Sequence, residues 1–157
     1  MAVVRRDPTT SHWRLEYPIG KVLLDRINWI SQPKISADGK LVAFGDHETP
    51  SGDDRGGVAI VDLNGKVKQL TAGWASVEGV VWSPSGDEVW FSASNSGSAD
   101  NLRGVTLDGK VRSIANVPGG MFLQDRINDM GLIVTHQFRI GIRGSGQCRA
   151  LHAHPEK

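Results

Sequence analysis

The sequence predicts an all-β protein built from repeated antiparallel units, and three observations carry that prediction. Gly-containing turn dipeptides recur at set places: Asp38-Gly39, Asn64-Gly65, Ser85-Gly86 and Asp108-Gly109 each stand between two short apolar runs. Such dipeptides supply the positive φ that tight hairpin turns need. They also keep a period. Gly39 and Gly86 are 47 residues apart, and Gly65 and Gly109 are 44 apart, the signature of a repeat architecture. Finally, no window of a dozen residues repeats apolar side chains at three and four positions, and Gly or Pro interrupts nearly every one. No amphipathic helix competes.

The elements follow in order. Residues 1–18 carry no repeat and read as an N-terminal arm. Ile19 to Asp25 reads as the last strand of a unit whose beginning is missing. The first full unit, residues 27–71, runs through Ile35 to the turn Ser36-Ala37-Asp38-Gly39 and the strand Leu41–Phe44. After a loop it continues as Val58–Leu63, the Asn64-Gly65 turn and Val67–Leu70. The second unit, residues 74–115, repeats that order with Trp82-Ser83-Pro84-Ser85-Gly86, Glu88–Phe91, Leu102–Leu107 and Val111–Ile114. A third, worn unit, residues 118–144, opens near Phe122. It turns at Asp129-Met130-Gly131, 45 residues after Gly86, and continues as Leu132–Thr135. Residues 145–157 hold no strand or turn signal and read as a tail.

Leu41-Val42-Ala43-Phe44 and Val58-Ala59-Ile60-Val61 are apolar on both faces, whereas a strand with one wet face alternates. Four-stranded units buried on both faces at this period suit a β-propeller, in which each blade is sandwiched between neighbours. A two-sheet sandwich is the weaker fit, because it alternates more and has no period. Residues 19–144 hold under three units, while a closed ring needs about four to eight blades. The predicted fold is therefore a partial β-propeller of three four-stranded blades. Three explanations fit the deficit: a fragment of a larger protein, self-association of two copies into one ring, or a degenerate copy whose arms cover its ends.

The segments ISADGKLVAF (35–44), VAIVDLNGKVKQLTAG (58–73) and WSPSGDEVWFSAS (82–94) resemble the repeats of TolB-type, WD40-like β-propellers. Ala37 stands in place of the pattern's Pro and Ser85 in place of its Asp, and the third copy lacks Ser-Pro. The stretches 15–36, 52–63 and 117–125 also resemble the propeller half of bacterial receptor-type serine/threonine kinases. That likeness implies a sensory or partner-binding domain in a periplasmic or extracytoplasmic setting. Related propellers also gate prolyl-oligopeptidase-type peptidases.

Composition narrows the function. A net charge of +1 over 157 residues gives no global field for nucleic acid or anionic lipid. The paired Arg5 and Arg6, with Arg14, are too sparse for nucleic-acid recognition. Cys148 alone makes neither an intrachain disulfide nor a Cys-based zinc site. No apolar run approaches the ~18 residues of a membrane span, and no signal peptide is visible behind the first arginines. Kinase chemistry is not expected: Val61 stands where a strand lysine would be needed, and no His-Arg-Asp precedes Asp129-Met130-Gly131. Nor is there a Gly-x-Ser-x-Gly nucleophile turn.

The candidate sites are few. Asp46, His47, Glu48, Asp53 and Asp54 fall within nine residues; grouped carboxylates on a loop can bind Ca²⁺, although a solvated polar loop explains them as well. His152 and His154 lack further ligands, and His136 reads as a strand-end residue. Trp82 and Trp90 fall in repeat strands and read as packing. Trp29 and Trp74, 45 residues apart, read as equivalent positions before a first strand, for packing or as partner anchors. The expected function is non-enzymatic: an interaction or sensory scaffold whose loop-rich face meets a protein partner, with no cofactor. The alternative is an accessory part of an enzyme, as a kinase sensor or a peptidase gate.

Overall fold

The computed structural model describes residues 1–50, 52–97, 100–116, 119–127 and 131–136, with side chains up to Asp125. The described residues form strands and turns, with no helix. Strands β1 (Val3–Arg6), β2 (Trp13–Glu16) and β3 (Val22–Arg26) make a three-stranded sheet in that order. A four-stranded meander follows: β4 (Ile30–Ile35), β5 (Leu41–His47), β6 (Gly56–Asp62) and β7 (Val67–Trp74). The next meander is β8 (Ser76–Trp82), β9 (Glu88–Ser94), β10 (Asn101–Thr106) and β11 (Val111–Ala115). A hairpin of β12 (Met121–Ile127) and β13 (Gly131–His136) ends the described chain. All pairings are antiparallel.

Apolar alternation within the strands stacks these sheets face to face. Along β5 and β6, Val42, Phe44, Ala59 and Val61 point to one side and pack with Leu15, Leu23 and Ile30 of the preceding elements. Ala43, Val58 and Ile60 point to the other side and meet Val77, Val80, Phe91 and Val105 of the following sheet. Val81 and Leu102, on the far face of that sheet, pack against Leu123 of β12. Sheets buried on both faces account for strands that do not alternate polar with apolar. Phe44 and Phe91 are fully buried, each contributing about 1.5–3 kcal/mol by removal from water. Trp82 crosses a seam as well, its Nε1–H donating to the Lys34 carbonyl at 2.9 Å.

At one end of the stack the sheets close in tight turns. In all four, the glycine N–H donates back to the carbonyl of the residue opening the turn: Gly39 to Ser36, Gly65 to Asp62, Gly86 to Ser83 and Gly109 to Thr106. The same opening residue uses its side chain to accept the amide of Leu41, Lys66, Glu88 or Lys110. The turn signals of the sequence thus mark a self-satisfied end.

Residues 1–18, an arm by sequence, contain β1 and β2. Val4, Trp13, Leu15 and Tyr17 face the second sheet, so the missing unit is present with three strands. Its opposite face is charged: Arg5 pairs with Glu16, and Arg14 pairs with Asp7 and, at 2.7 Å, with Asp25. Sheet pairing adds detail to the reading of the two tryptophans. Trp29 and Trp74 each stand just before a first strand, β4 and β8, but Trp74 also ends β7 opposite Gly56, so the two have different surroundings.

The first strands of the two four-stranded sheets share one irregularity. The β4–β5 register shifts between Ser31 and Lys34, and the β8–β9 register between Glu78 and Val80. Gln32 and Gly79, inside those bulges, have φ of 48° and 66°. A Cβ on Gly79 would lie 1.9 Å from the Leu123 carbonyl oxygen. Glycine is required there by the next strand's approach.

Candidate functional site

Strand direction sorts the connections. The described residues of the segments 7–12, 27–29, 48–55 and 95–100 all lie at the end opposite the tight turns. The acidic loop, Trp13, Trp29 and Trp74 therefore share one end of the stack.

Aromatic stacking organises the seam between the first two sheets there. Trp29 lies between Trp13, at a centroid distance of 6.4 Å, and His47, at 4.0 Å and nearly parallel. Trp13 Nε1–H donates to the Pro50 carbonyl at 2.8 Å, which ties the acidic loop down onto the first sheet. His47 is 2% exposed and its Nε2 shares a 2.8 Å hydrogen bond with Ser31 Oγ. Its buried Nδ1 has no hydrogen-bond partner. Burial pushes the imidazole pKa down, against the smaller upward pull of the Asp54 charge, so His47 is held neutral.

The acidic loop does not act as one cluster. Asp46 binds Arg26 at 2.6 Å, and with Glu48 and His47 it borders a cleft of about 300 Å³. Asp53 is held by Arg55 at 2.9 Å, which draws its carboxyl below the usual range. Asp54 turns instead to the next sheet, its carbonyl accepting the Val77 amide at 2.9 Å. Among the described residues no group of three His, Cys, Asp or Glu side chains is placed to hold a metal ion. Trp74 is half-buried; its ring edge meets Phe91 and Arg103 lies over its face at 4.9 Å. The backbone of His136 pairs with Met121 in the last hairpin. Cys148, His152, His154 and the tail 145–157 lie outside the described residues.

Two further acids belong to this end, and sequence reasoning missed both. Asp100 is fully buried; Ser76 Oγ donates to its Oδ2 at 3.1 Å, while Oδ1 has no partner. Glu78, on the edge strand β8, is half-buried. Burial raises both carboxyl pKa values, and the Asp54 charge pushes both further the same way. Asp54 and Asp100 are structural counterparts: each precedes a third strand and each offers its carbonyl to the next unit, Asp100 to the Met121 amide at 2.8 Å. Their spacing of 46 residues was the available signal for Asp100.

Stacked antiparallel sheets with both faces buried, tight turns at one end and long loops at the other define a segment of a β-propeller. The solved structures agree. The chain resembles the crystal structure of TolB from Acinetobacter baumannii, with a TM-score of 0.60 and 23% identity over 78% of this chain and 32% of that one. It resembles equally a structure from Agrobacterium tumefaciens described as a TolB, with a TM-score of 0.60 and 23% identity over 77% of this chain and 44% of that one. The fold is TolB-like, and the chain spans less than half of either neighbour. The likeness to kinase sensor domains receives no support from these two structures. No protein-family model and no curated protein matches the chain.

Proposed function

We propose that this chain is a non-enzymatic interaction scaffold that meets a protein partner through its loop-rich end. One observation carries the reading. The turn end spends its polar groups on itself, whereas the loop end combines the half-buried tryptophans Trp13, Trp29 and Trp74 with the buried His47 and Asp100, each of which carries a buried side-chain atom without a hydrogen-bond partner. Aromatic anchors beside desolvated polar groups are what binding hot spots are made of. A photo-crosslinking residue at Trp29 tests the reading against the same residue at Lys110, at the turn end. Covalent capture of one defined protein from Trp29 alone supports it. Capture from Lys110 alone, or equal capture from both, refutes it.

The alternative is an accessory unit in a larger assembly, and the share of the TolB structures that the chain spans favours it. Blades elsewhere in a longer polypeptide, or a second copy, would then complete the ring. The charged outer face of β1–β3 argues against closing a ring there, since a blade seam would desolvate the Arg5–Glu16 and Arg14–Asp25 pairs. A solution mass of one chain at micromolar concentration would refute self-association.

A further inference from the structure

The first sheet is one strand short, and the repeats show which one. The Tyr17 amide donates to the Lys21 carbonyl as that of Asp62 does to Lys66 and that of Thr106 to Lys110, so the β2–β3 turn matches the turns β6–β7 and β10–β11. Strand β1 therefore matches β5 and β9, and the first sheet lacks a counterpart of β4 and β8. Among the described residues β1 has a hydrogen-bonded neighbour, β2, on one side only. The gap leaves apolar surface uncovered. Trp82 is buried against the preceding first strand, its Nε1–H on the Lys34 carbonyl, whereas Ile35, in the same place before its turn, is half-buried. Val4 is half-buried too, while its counterpart Ala43 is fully buried. Charge selects what can fill the gap. Arg5 is held by Glu16, and Arg14 by Asp7 and Asp25. Arg6 has no carboxylate partner among the described residues; it reaches the Ser11 carbonyl at 3.3 Å and lies over Trp13. In the complete sheets its place is taken by Gly45 and Ser92, which face Ser31 of β4 and Glu78 of β8. The residue facing Arg6 thus belongs to the missing strand. A second copy of β1 does not fit, since two antiparallel copies would gather four arginines along one short ladder.

We propose that β1 takes up an extended segment of a partner protein as this missing strand. The segment runs antiparallel to β1, with an acidic side chain opposite Arg6. Opposite Val4 it carries an apolar one, as Val81 stands opposite Trp90. Main-chain hydrogen bonds to an open edge give such a complex its affinity, and alternate side chains give its specificity. The added strand lies along β4, as β8 does, and covers Ile35. It leaves the Arg5–Glu16 and Arg14–Asp25 pairs in water, so the sheet is completed without a further blade. This edge is separate from the loop-rich end, and the proposal does not depend on that reading.

The chain supplies its own probe: the capped peptide of residues 76–82, acetyl-SVEGVVW-amide, which is β8 and carries Glu78 at the place opposite Arg6. Titrated into the full chain, it is expected to shift the backbone amide resonances of Val3–Arg6 and Ile30–Ile35 saturably and to leave the edge strand β11 still. Glu78→Lys in the peptide should weaken binding about fivefold, the size of one cross-strand ion pair. Arg6→Glu in the chain should then favour the lysine peptide; Arg6 is exposed, so that variant should fold. A peptide with both Val80→Pro and Val81→Pro loses one donor toward β1 in any register, because neighbouring amides point to opposite sides, and should not bind. In the chain alone, hydrogen exchange should find fast and slow amides alternating along β1. An absent or non-saturating shift, equal shifts at β11, undiminished binding of the proline peptide, or unchanged preference in Arg6→Glu would each overturn the proposal. Uniformly slow exchange along β1, the mark of an edge already covered, would overturn it too.

Discussion

Replacing Gly79 by alanine tests how the units are stacked. Gly79 sits in the β8 bulge with φ of 66°, and an added Cβ would lie 1.9 Å from the Leu123 carbonyl oxygen and 2.8 Å from the Leu123 Cβ. Ordinary contact begins near 3.4 Å, so β12 must retreat by about 1.5 Å, against a seam in which Leu123 is fully buried. Overpacking of this kind costs about 1–3 kcal/mol. The left-handed backbone adds about 1 kcal/mol for a residue with a Cβ, a tolerable amount, since Gln32 adopts it at the corresponding bulge. Gly86→Ala is the control. Gly86 has φ of 75° and open space around its missing Cβ, so it should show the backbone contribution alone, about 1 kcal/mol. Urea unfolding followed by tryptophan fluorescence should place Gly79→Ala about 2–4 kcal/mol below wild type. Equal destabilisation by the two substitutions would refute the packing of β12 on β8.

Three further predictions use the same seams. Trp82→Phe removes the Nε1–H bond to the Lys34 carbonyl and should cost about 1 kcal/mol, read as a lower denaturation midpoint at unchanged slope. Asp100→Asn should be at least as stable as wild type at pH 7. Burial raises the Asp100 pKa in the fold, so the folded state binds its proton at higher pH than the unfolded chain and gains stability as pH falls through that raised value. The advantage of asparagine should therefore shrink in acid; a constant difference from pH 7 to 3 would contradict it. For His47 the sign is reversed. Its folded pKa is depressed, so wild-type stability is whole above the unfolded value near 6.5 and falls as pH drops below it. His47→Gln should remove that part of the pH dependence, as seen in melting curves between about pH 7 and 5.

What the sequence revealed depended on whether a feature was local. The four turns were legible because a positive φ and its Gly lie within one short segment, and Gly39, Gly65, Gly86 and Gly109 all have it. Two-sided burial was legible from Val58–Val61, where neighbouring residues point to opposite seams. The first sheet was not. In Val3–Arg6 and Trp13–Glu16 the charged residues belong to an outer ion-pair face, which makes the strands read as polar and hides their apolar side. Trp29 and Trp74 both stand before a first strand, but Trp74 also pairs as the last residue of β7, a difference that spacing alone does not carry. The burial of Asp100 was not legible, because its partner Ser76 lies 24 residues away in sequence, on another strand.

Hydrogen exchange on the complex with the crosslinked partner tests the central claim most directly. The account predicts new protection in the loop-end segments 27–29, 48–55 and 95–100, and at the start of β8, with the turns at 36–40 and 83–87 unchanged. Protection confined to those turns, or to the outer face of β1–β3, would contradict it.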